Sequence, residues 1–329
     1  MILETEDQVG HYIASLRPAG GASRSVVIER LSGGVSCSVW KVTAGAERWV
    51  VKQALPKLAV EVDWFADVQR IEREQQAMLA VEPHMPAGTV PRILHSDADN
   101  HLYIMTCAPE EAVTWKSQLM NGEFRERTAR HAGEVLRIMH ECSRRELSPE
   151  QQGAFEDLSF FRELRIEPFH QYLLMKHPHL TAEMNTLIAD LLECRTCLVH
   201  GDFSPKNLLV DRHHQVIVLD YEVAHWGNPV FDLAFTSAHL LLKGWALHKQ
   251  ADAFRLMHVF LQAYGYRHER ESRLTGHTGA LLLARIDGKS TVDYIKDPVL
   301  KERIRKQATD WIRHPDREPF ASLDEAMKG

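Results

Sequence analysis

The chain has 329 residues, of which 44% are hydrophobic and 26% are charged, and its formal net charge is -6 with histidine neutral. This composition is typical of a soluble globular protein with one large domain or two ordinary ones. An acidic chain lacks the excess of Lys and Arg that contacts with a nucleic-acid backbone require, which argues against DNA or RNA as its main partner.

The N-terminus and the cysteines indicate the cellular compartment. Residues 1–7 are acidic and contain no apolar run, so they do not resemble a secretory signal. No segment approaches the ~20 apolar residues that a membrane span needs. The five cysteines are an odd number spread along the chain, which argues against a disulfide framework and favours a reducing cytoplasm.

Short apolar segments with turn signals between them predict a small antiparallel sheet in the first hundred residues. Strands are expected at residues 25–31, 38–43, 49–51, 91–95 and 102–106. A helix is expected over residues 64–80, whose apolar side chains form an imperfect face among charges.

Beyond Pro109 the pattern changes to long helices, with strand-like residues only at 198–199 and 216–219. We therefore expect an α+β fold of two lobes, a small antiparallel-sheet N-lobe (residues 1–106) and a larger helical C-lobe (residues 107–329). Two apolar faces with helical spacing support this division, formed by Ala132, Val135, Leu136 and Met139 and by Phe254, Met257, Leu261 and Tyr264.

The segment 200–207, of sequence HGDFSPKN, carries the strongest chemical signal. Asn207 follows five residues after Asp202, and the next apolar strand ends in Asp220. Phosphoryl transfer needs one carboxylate to deprotonate the attacking hydroxyl, and a second carboxylate with a neutral oxygen to hold Mg²⁺ against the nucleotide phosphates. Asp202 is therefore the predicted catalytic base, and Asn207 and Asp220 are the predicted metal ligands. The competing interpretation is a plain hairpin capped by Asp and Asn.

The turn at residues 31–36, of sequence LSGGVS, is a candidate phosphate-binding loop. The backbone amides of Gly33 and Gly34 can approach phosphates closely, and the hydroxyl of Ser36 can join them. Alone, such a turn is more typical of a simple hairpin, so the prediction depends on the neighbouring motifs.

Lys52 ends the third apolar strand and could bind the α- and β-phosphates of a nucleotide. A lysine in this position needs a carboxylate nearby that pairs with its ammonium group and holds it in place. Glu74 on the following helix is the predicted partner, with Glu72 and Glu61 as alternatives.

Together these motifs resemble the aminoglycoside phosphotransferase and choline kinase-like family, which has the protein-kinase-like fold. The resemblance runs from residue 31 to about residue 242 and is most specific at residues 199–207, 219–220 and 227–234. The resemblance implies that Lys52 binds the nucleotide phosphates, that Asp202 is the catalytic base, and that Asn207 and Asp220 are the metal ligands. These are the roles that the motifs also indicate on their own.

The resemblance also implies roles that the motifs alone do not. His200 and Asp232 would brace the catalytic loop, and the backbone from Thr106 to Ala108 would hydrogen-bond adenine. The chain departs from the protein-kinase pattern in having only two glycines in the nucleotide loop. It departs again at Asp220, which is followed by Tyr221 and Glu222 instead of Phe-Gly.

The short interval between Asp220 and Asp232 favours a small acceptor. Only eleven residues (221–231) separate them, and no Ala-Pro-Glu occurs there, whereas protein kinases place a long activation segment in this position. We therefore expect a cytoplasmic phosphotransferase that uses ATP and Mg²⁺ to phosphorylate a hydroxyl of a small molecule. The alternative is a catalytically silent nucleotide-binding regulator of the same fold.

The charge of the acceptor is left open by the sequence. The basic pair Arg285 and Lys289 would suit an anionic acceptor. A cationic acceptor such as an aminoglycoside or choline needs acidic or aromatic lining, for which the candidates are Glu222, Trp226, Trp245 and Asp287.

Overall fold

A computed structural model describes residues 1–16, 26–31, 37–55 and 67–318. The predicted nucleotide-loop residues Gly33, Gly34 and Ser36 lie outside the described residues, as do Glu61 and the first residues of the predicted helix 64–80.

The first hundred residues contain a five-stranded antiparallel sheet, in which the strands lie side by side in the order first, second, third, fifth and fourth along the chain. The predicted sheet is therefore confirmed, although the fourth strand begins at Ile93 rather than at residue 91. The strands are β1 (Val26–Arg30), β2 (Cys37–Ala44), β3 (Glu47–Ala54), β4 (Ile93–Asp97) and β5 (Leu102–Thr106).

Two helices cover opposite faces of this sheet. Successive strand residues point to opposite sides, so both faces carry apolar side chains that a helix can bury. Helix α1 (Glu6–Ser15), which the sequence analysis missed, packs on the face that carries Trp40 and Val51. A capping box at Thr5 and Gln8 begins α1. Helix α2 (Arg70–Val81) lies with the opposite face, which carries Val50.

Helix α2 begins later than the sequence analysis predicted. Residues 67–69 form a turn in which the side chain of Asp67 accepts a hydrogen bond from the backbone N–H of Gln69 at 2.9 Å. Short polar side chains such as this one favour turns over helix by bonding nearby backbone groups. The helix therefore starts at Arg70.

The rest of the described chain is mainly helical, and the two predicted apolar faces are buried in the helices Glu126–Glu146 and Gln250–Tyr264. These helices approach closely at Gly133, where a Cβ atom would lie 2.3 Å from the carbonyl oxygen of Phe260. The helices are α3 (Trp115–Met120), α4 (Glu126–Glu146), α5 (Pro149–Gly153), α6 (Ser159–Phe161), α7 (Tyr172–Lys176), α8 (Thr181–Glu193), α9 (Val230–Ala246), α10 (Gln250–Tyr264), α11 (Leu274–Asp287) and α12 (Pro298–Arg313).

Among the described residues, three short segments are helices of other types, and the first of them lies in the N-lobe. Glu82–His84 and Pro178–Leu180 are single 3₁₀ turns, and Arg162–Gln171 is a π-helix that joins α6 to α7. The π-helix contains Pro168, which has no N–H to donate to a regular helical hydrogen bond. Within the described ranges, no helix has both the length and the apolar character needed to cross a membrane.

The described residues of this helical part also contain five short strands, namely β6 (Val113–Thr114), β7 (Cys197–Val199), β8 (Leu208–Val210), β9 (Val216–Val218) and β10 (His225–Gly227). They form two small sheets, one pairing β10 with β7 and the other ordered β6-β8-β9. The predicted strand at 198–199 lies in β7, and the predicted strand at 216–219 corresponds to β9. Strands β6, β8 and β10 were not predicted, since two or three residues are too few for a recognisable alternation.

His225 in β10 is a buried histidine that should make stability depend on pH. Its ring stacks on Phe161 with centroids 4.0 Å apart, and its Nδ1 lies 3.0 Å from the carbonyl oxygen of Val223. Burial lowers the pKa of His225 from 6.5 to about 4. Because the unfolded chain takes up its proton first as the pH falls, about 3 kcal/mol of stability is lost between pH 6.5 and pH 4.

We expect His225→Asn to flatten this part of the pH profile, since asparagine retains an N–H donor for Val223 but does not titrate. Urea unfolding of both proteins between pH 7 and pH 4 measures the effect. His84→Asn, at an exposed histidine, is the matched control and should leave the profile unchanged. Identical pH dependence in wild type and His225→Asn would contradict the prediction.

Candidate active site

The β8–β9 hairpin brings Asn207 and Asp220 to the same place. Leu208 pairs with Val218 in this antiparallel ladder, so the residue before β8 and the residues after β9 lie at one end of the hairpin. The backbone N–H of Leu219 donates to the carbonyl oxygen of Asn207 at 2.9 Å, which fixes Asp220 next to Asn207.

Asn207 also holds Asp202. Its Nδ2 donates to Oδ2 of Asp202 at 2.7 Å and to the carbonyl oxygen of Asp202 at 3.0 Å. The three residues predicted as base and metal ligands are therefore brought together, and Asp202 is 7% exposed.

His200 joins the loop of Asp202 to the strand end that carries Asp220. Its Nδ1 accepts the backbone N–H of Asp202 at 3.1 Å, and its Nε2 lies 3.0 Å from the carbonyl oxygen of Leu219. Burial lowers the pKa of His200, so the ring is neutral and the Nε2 proton is donated to Leu219. Gly201 has φ +77°, and a Cβ there would lie 2.7 Å from the carbonyl oxygen of Val223, so this turn requires glycine.

Asp232, in the first turn of α9, supports this loop from behind. Its carboxylate accepts the backbone N–H of His200 at 2.7 Å and that of Gly201 at 2.9 Å. It also contacts Nε2 of His140 at 3.1 Å, and Nδ1 of His140 lies 3.0 Å from the hydroxyl of Tyr264. The sequence analysis missed His140, which lies 60 residues before His200 in the chain and belongs to no local motif.

Lys52 bridges the two lobes. Its Nζ lies 2.8 Å from Oε1 of Glu74 on α2 and 2.8 Å from Oδ1 of Asp220. Glu72, the alternative partner, instead lies 3.9 Å from Nδ1 of His101. Burial opposes the charge on Lys52, but Asp220 and Glu74 outweigh it and raise the pKa of Lys52 well above its usual value.

Asp220 is held in a demanding conformation. Its backbone φ is +70°, in the left-handed region. Residues other than glycine rarely adopt such values, and those that do are often found at functional sites. Burial would raise its pKa, but the nearby charges of Lys52 and Lys206 lower it far below the usual range. Asp220 is therefore ionised at neutral pH.

One side-chain oxygen of Asn207 and one of Asp220 have no hydrogen-bond partner among the described residues. Asn207 uses only its Nδ2, which leaves Oδ1, and Lys52 contacts only Oδ1 of Asp220, which leaves Oδ2. A neutral amide oxygen and a carboxylate oxygen are ligands that Mg²⁺ prefers, with phosphate oxygens and water completing its shell. The residues present therefore fit a magnesium ion.

Arg165, on the π-helix, is a site residue that the sequence analysis missed. Its Nη2 lies 3.1 Å from Oδ2 of Asp202, and its Nε donates to the carbonyl oxygen of Gly201 at 2.7 Å. Arg165 reaches the loop from a segment about 36 residues earlier, so no spacing rule points to it. Single π-helical turns are often found at functional sites, but their sequence signature is weak.

The predicted adenine-binding residues lie at and beyond the end of β5. The backbone N–H of Thr106 donates to the carbonyl oxygen of Arg92 at 3.0 Å, and its hydroxyl accepts the N–H of Arg92 at 3.0 Å. Ala108 lies two residues past the strand and is half-buried.

The four candidates for a cationic acceptor have other partners or lie in the core. Asp287 accepts hydrogen bonds from Arg305 at 2.7 Å and lies 2.9 Å from Nε2 of His177. Glu222 contacts Nε of Arg70 at 3.1 Å, and burial together with Asp220 raises the pKa of Glu222 to about 7. The remaining two are only 8% and 4% exposed, namely Trp226 and Trp245.

Solved structures resemble this fold over almost its whole length. A choline/ethanolamine kinase family protein from Mesorhizobium loti is 16% identical with a TM-score of 0.55, and the match covers 98% of this chain and 99% of that one. A choline kinase from Streptococcus pneumoniae is 13% identical with a TM-score of 0.52, covering 94% and 99%. An ADP-bound aminoglycoside phosphotransferase is 14% identical with a TM-score of 0.51, covering 94% and 97%.

These likenesses confirm the predicted fold, which is the bilobal α+β fold of kinase-like proteins. The model of the phosphotransferase enzyme family matches residues 27–274, which is 248 of the 329 residues. The chain therefore belongs to the phosphotransferase enzyme family. No curated protein sequence matches it significantly.

Proposed function

We propose that this protein transfers the γ-phosphate of ATP to a hydroxyl group of a small molecule. The observation that carries the proposal is the contact of Lys52 with both Glu74 and Asp220, each at 2.8 Å. In kinase-type phosphoryl transfer, a lysine-glutamate pair and a metal-binding aspartate must be in place together to position the nucleotide phosphates. Here the ammonium group of Lys52 contacts both the glutamate and the aspartate.

The free oxygen of Asp202 suits a catalytic base. Its Oδ2 is occupied by Asn207 and Arg165, whereas no described residue contacts Oδ1. In the proposed reaction the acceptor oxygen attacks the γ-phosphorus, and the bond from that phosphorus to the β–γ bridging oxygen breaks. The electron pair of that bond leaves with ADP, and the hydroxyl proton passes to Oδ1 of Asp202.

The other residues of the site bind and orient the nucleotide. Lys52 would neutralise charge on the α- and β-phosphates, and Ala108 with its neighbours would contact adenine. Asn207 and Asp220 would hold Mg²⁺, which supplies positive charge against the phosphate oxygens. The predicted phosphate-binding loop, with Gly33, Gly34 and Ser36, would contribute backbone amides and a hydroxyl to the phosphates.

We expect ATP to stabilise the protein against heat only when Mg²⁺ is present, by roughly 5 °C at about 100 times the Kd. The measurement is thermal unfolding with ATP, with Mg²⁺, with both and with neither. Lys52→Met should abolish the shift because it removes the phosphate contact. Lys41→Met, on the neighbouring strand β2 and paired with Glu29, is the matched control and should keep it.

ADP release across a panel of hydroxylated metabolites and antibiotics then separates an enzyme from a regulator. Turnover of any panel member supports the proposed function. ATP binding without turnover across a broad panel would favour the catalytically silent regulator. An ATP-induced shift that is independent of Mg²⁺, or unchanged in Lys52→Met, would contradict the proposed site.

A further inference from the structure

Several cations gather on the side of Asp202 formed by α9 and α11. Lys243 on α9 is 1% exposed, and among the described residues its Nζ donates only to the carbonyl oxygen of His239, at 3.3 Å. Arg285 on α11 is half-buried and donates through Nη1 to the carbonyl oxygen and the hydroxyl of Ser290, at 2.7 Å and 2.9 Å. Within the described residues, neither cation forms an ion pair with a carboxylate.

One shared aromatic ring, that of Phe169, connects Arg285 to the residue that contacts Asp202. The guanidinium groups of Arg165 and Arg285 each lie 5.7 Å from the ring centroid of Phe169. Arg165 is the residue that contacts Asp202 at 3.1 Å. The cluster therefore begins at the predicted catalytic base.

Tyr294 extends the same surface. Nζ of Lys243 lies 5.4 Å from the centroid of its ring. The hydroxyl of Tyr294 and Nε of Arg285 are both buried and have no hydrogen-bond partner within the described ranges. Buried polar atoms are almost always paired in folded proteins, so these atoms, beside cations that have no carboxylate partner among the described residues, point to a ligand.

The charges act on one another. Burial lowers the pKa of His239, and Lys243, Arg285, Lys206 and Lys116 lower it further. Burial likewise lowers the pKa of Lys243 to about 7, with further lowering from Lys116 and Arg285 that the carboxylate of Asp293 only partly opposes. A site with this excess of positive charge disfavours a cationic ligand and favours an anionic one.

We propose that this cluster is the acceptor pocket and that the acceptor is a hydroxylated organic anion. Its oxyanion group, a carboxylate or a phosphate, binds Lys243 and Arg285 while its hydroxyl reaches Asp202. Tyr294 donates to the same oxyanion. This inference rests on the proposed phosphotransferase function and specifies the substrate class of the same site.

Pairs of acceptors that differ mainly in charge test the proposal. The probes are glycerate against glycerol, 3-hydroxybutanoate against 1,3-butanediol, and choline as a cation. We expect the anionic member of each pair to have at least tenfold higher kcat/KM in ADP release, and choline to give none. Calorimetry with the complex of protein, Mg²⁺ and ADP measures binding of the same probes without requiring turnover.

Variants of the cluster connect the effect to these residues. Arg285→Met and Lys243→Met should each raise the Kd of the anions at least tenfold, while Arg285→Lys should retain part of the affinity. Lys306→Met, at an exposed lysine of α12, is the matched control and should change nothing. Melting temperatures establish that each variant is folded, and Arg285→Lys with Lys243→Met keeps the test valid if Arg285→Met is unfolded.

The outcomes separate this inference from the proposed function. Anion binding that is lost in Arg285→Met supports the inference even where ADP release is absent, and such absence counts only against the phosphotransferase function. Equal kcat/KM for charged and neutral probes, preferential turnover of choline, or no anion binding to the wild type would overturn the inference. It would also be overturned if Arg285→Met weakened ATP binding as strongly as Lys52→Met, because the cluster would then serve the nucleotide.

Discussion

Replacing Asp202 by asparagine is expected to lower kcat by about 10³-fold or more while leaving the affinity for ATP nearly unchanged. Asparagine has the size and shape of aspartate but cannot take up the proton of the acceptor hydroxyl. The nucleotide should bind normally because Asp202 contacts neither Lys52 nor Glu74. Its partners are Asn207 and Arg165.

The measurement combines initial rates of ADP release with calorimetric titration of ATP and Mg²⁺. Asp211→Asn is a suitable control because Asp211 lies in the turn at the far end of the β8–β9 hairpin, where its Oδ1 accepts backbone N–H groups at 2.8 Å. Its asparagine variant retains that acceptor and should have wild-type activity. Near-normal kcat in Asp202→Asn would show that another group accepts the proton. A large loss of ATP affinity would instead mean that Asp202 belongs to the nucleotide site.

The catalytic loop could be predicted because its chemistry lies in one short stretch of sequence. Asp202 and Asn207 are five residues apart, and the hairpin that follows returns the chain to Asp220 after two short strands. A local motif of this kind fixes both residue types and spacing, so the sequence contains most of the information needed.

Residues that reach the loop from elsewhere could not be predicted in the same way. Arg165 and His140 enter through the π-helix and α4, and their partners are decided by tertiary packing. Helix α1 was not predicted for a related reason. Its packing on the sheet stabilises it, and its own sequence has no strong helical pattern.

The choice between Glu72 and Glu74 as the partner of Lys52 depends on where helix α2 begins and how it is rotated about its axis. Residues two apart on a helix are separated by about 200° around its axis, so only one of them can face Lys52. Which one faces the sheet depends on how the helix is rotated, and its true start at Arg70 was not evident from the sequence. In the structure Glu74 is 1% exposed, whereas the side chain of Glu72 is 43% exposed.

The positive charge around the proposed acceptor pocket could not be predicted from the sequence either, because it depends on which side chains the fold brings together. Arg285 was recognised as a basic candidate in the sequence, but Lys243 lies in an apolar helix that would ordinarily bury no charge. Nζ of Lys243 lies over the ring of Tyr294, and Lys243 and Arg285 both lower the pKa of His239, because α9 and α11 pack together.

Removing the carboxylate of Asp232 should have the largest effect on stability, and we expect Asp232→Ala to lose about 3–5 kcal/mol of the free energy of unfolding. Three buried donors would lose their acceptor, namely the backbone N–H groups of His200 and Gly201 and Nε2 of His140. Asp232→Asn should lose less, because it retains one acceptor oxygen, although its amide N–H₂ must face one of the donors. Urea unfolding at pH 7 measures both changes.

Asp252→Ala provides the matched control for this prediction. Asp252 stands in the first turn of α10 as Asp232 does in α9, so both have the same favourable position near a helix N-terminus. Among the residues that the structure describes, Asp252 pairs only with Arg255 on the surface, and its side chain is 38% exposed, so its loss should cost less than about 1 kcal/mol. A comparable loss in the two alanine variants would mean that Asp232 contributes through the helix end alone. A large difference, with kcat also reduced in Asp232→Asn, would instead establish that this carboxylate holds the loop in position for Asp202.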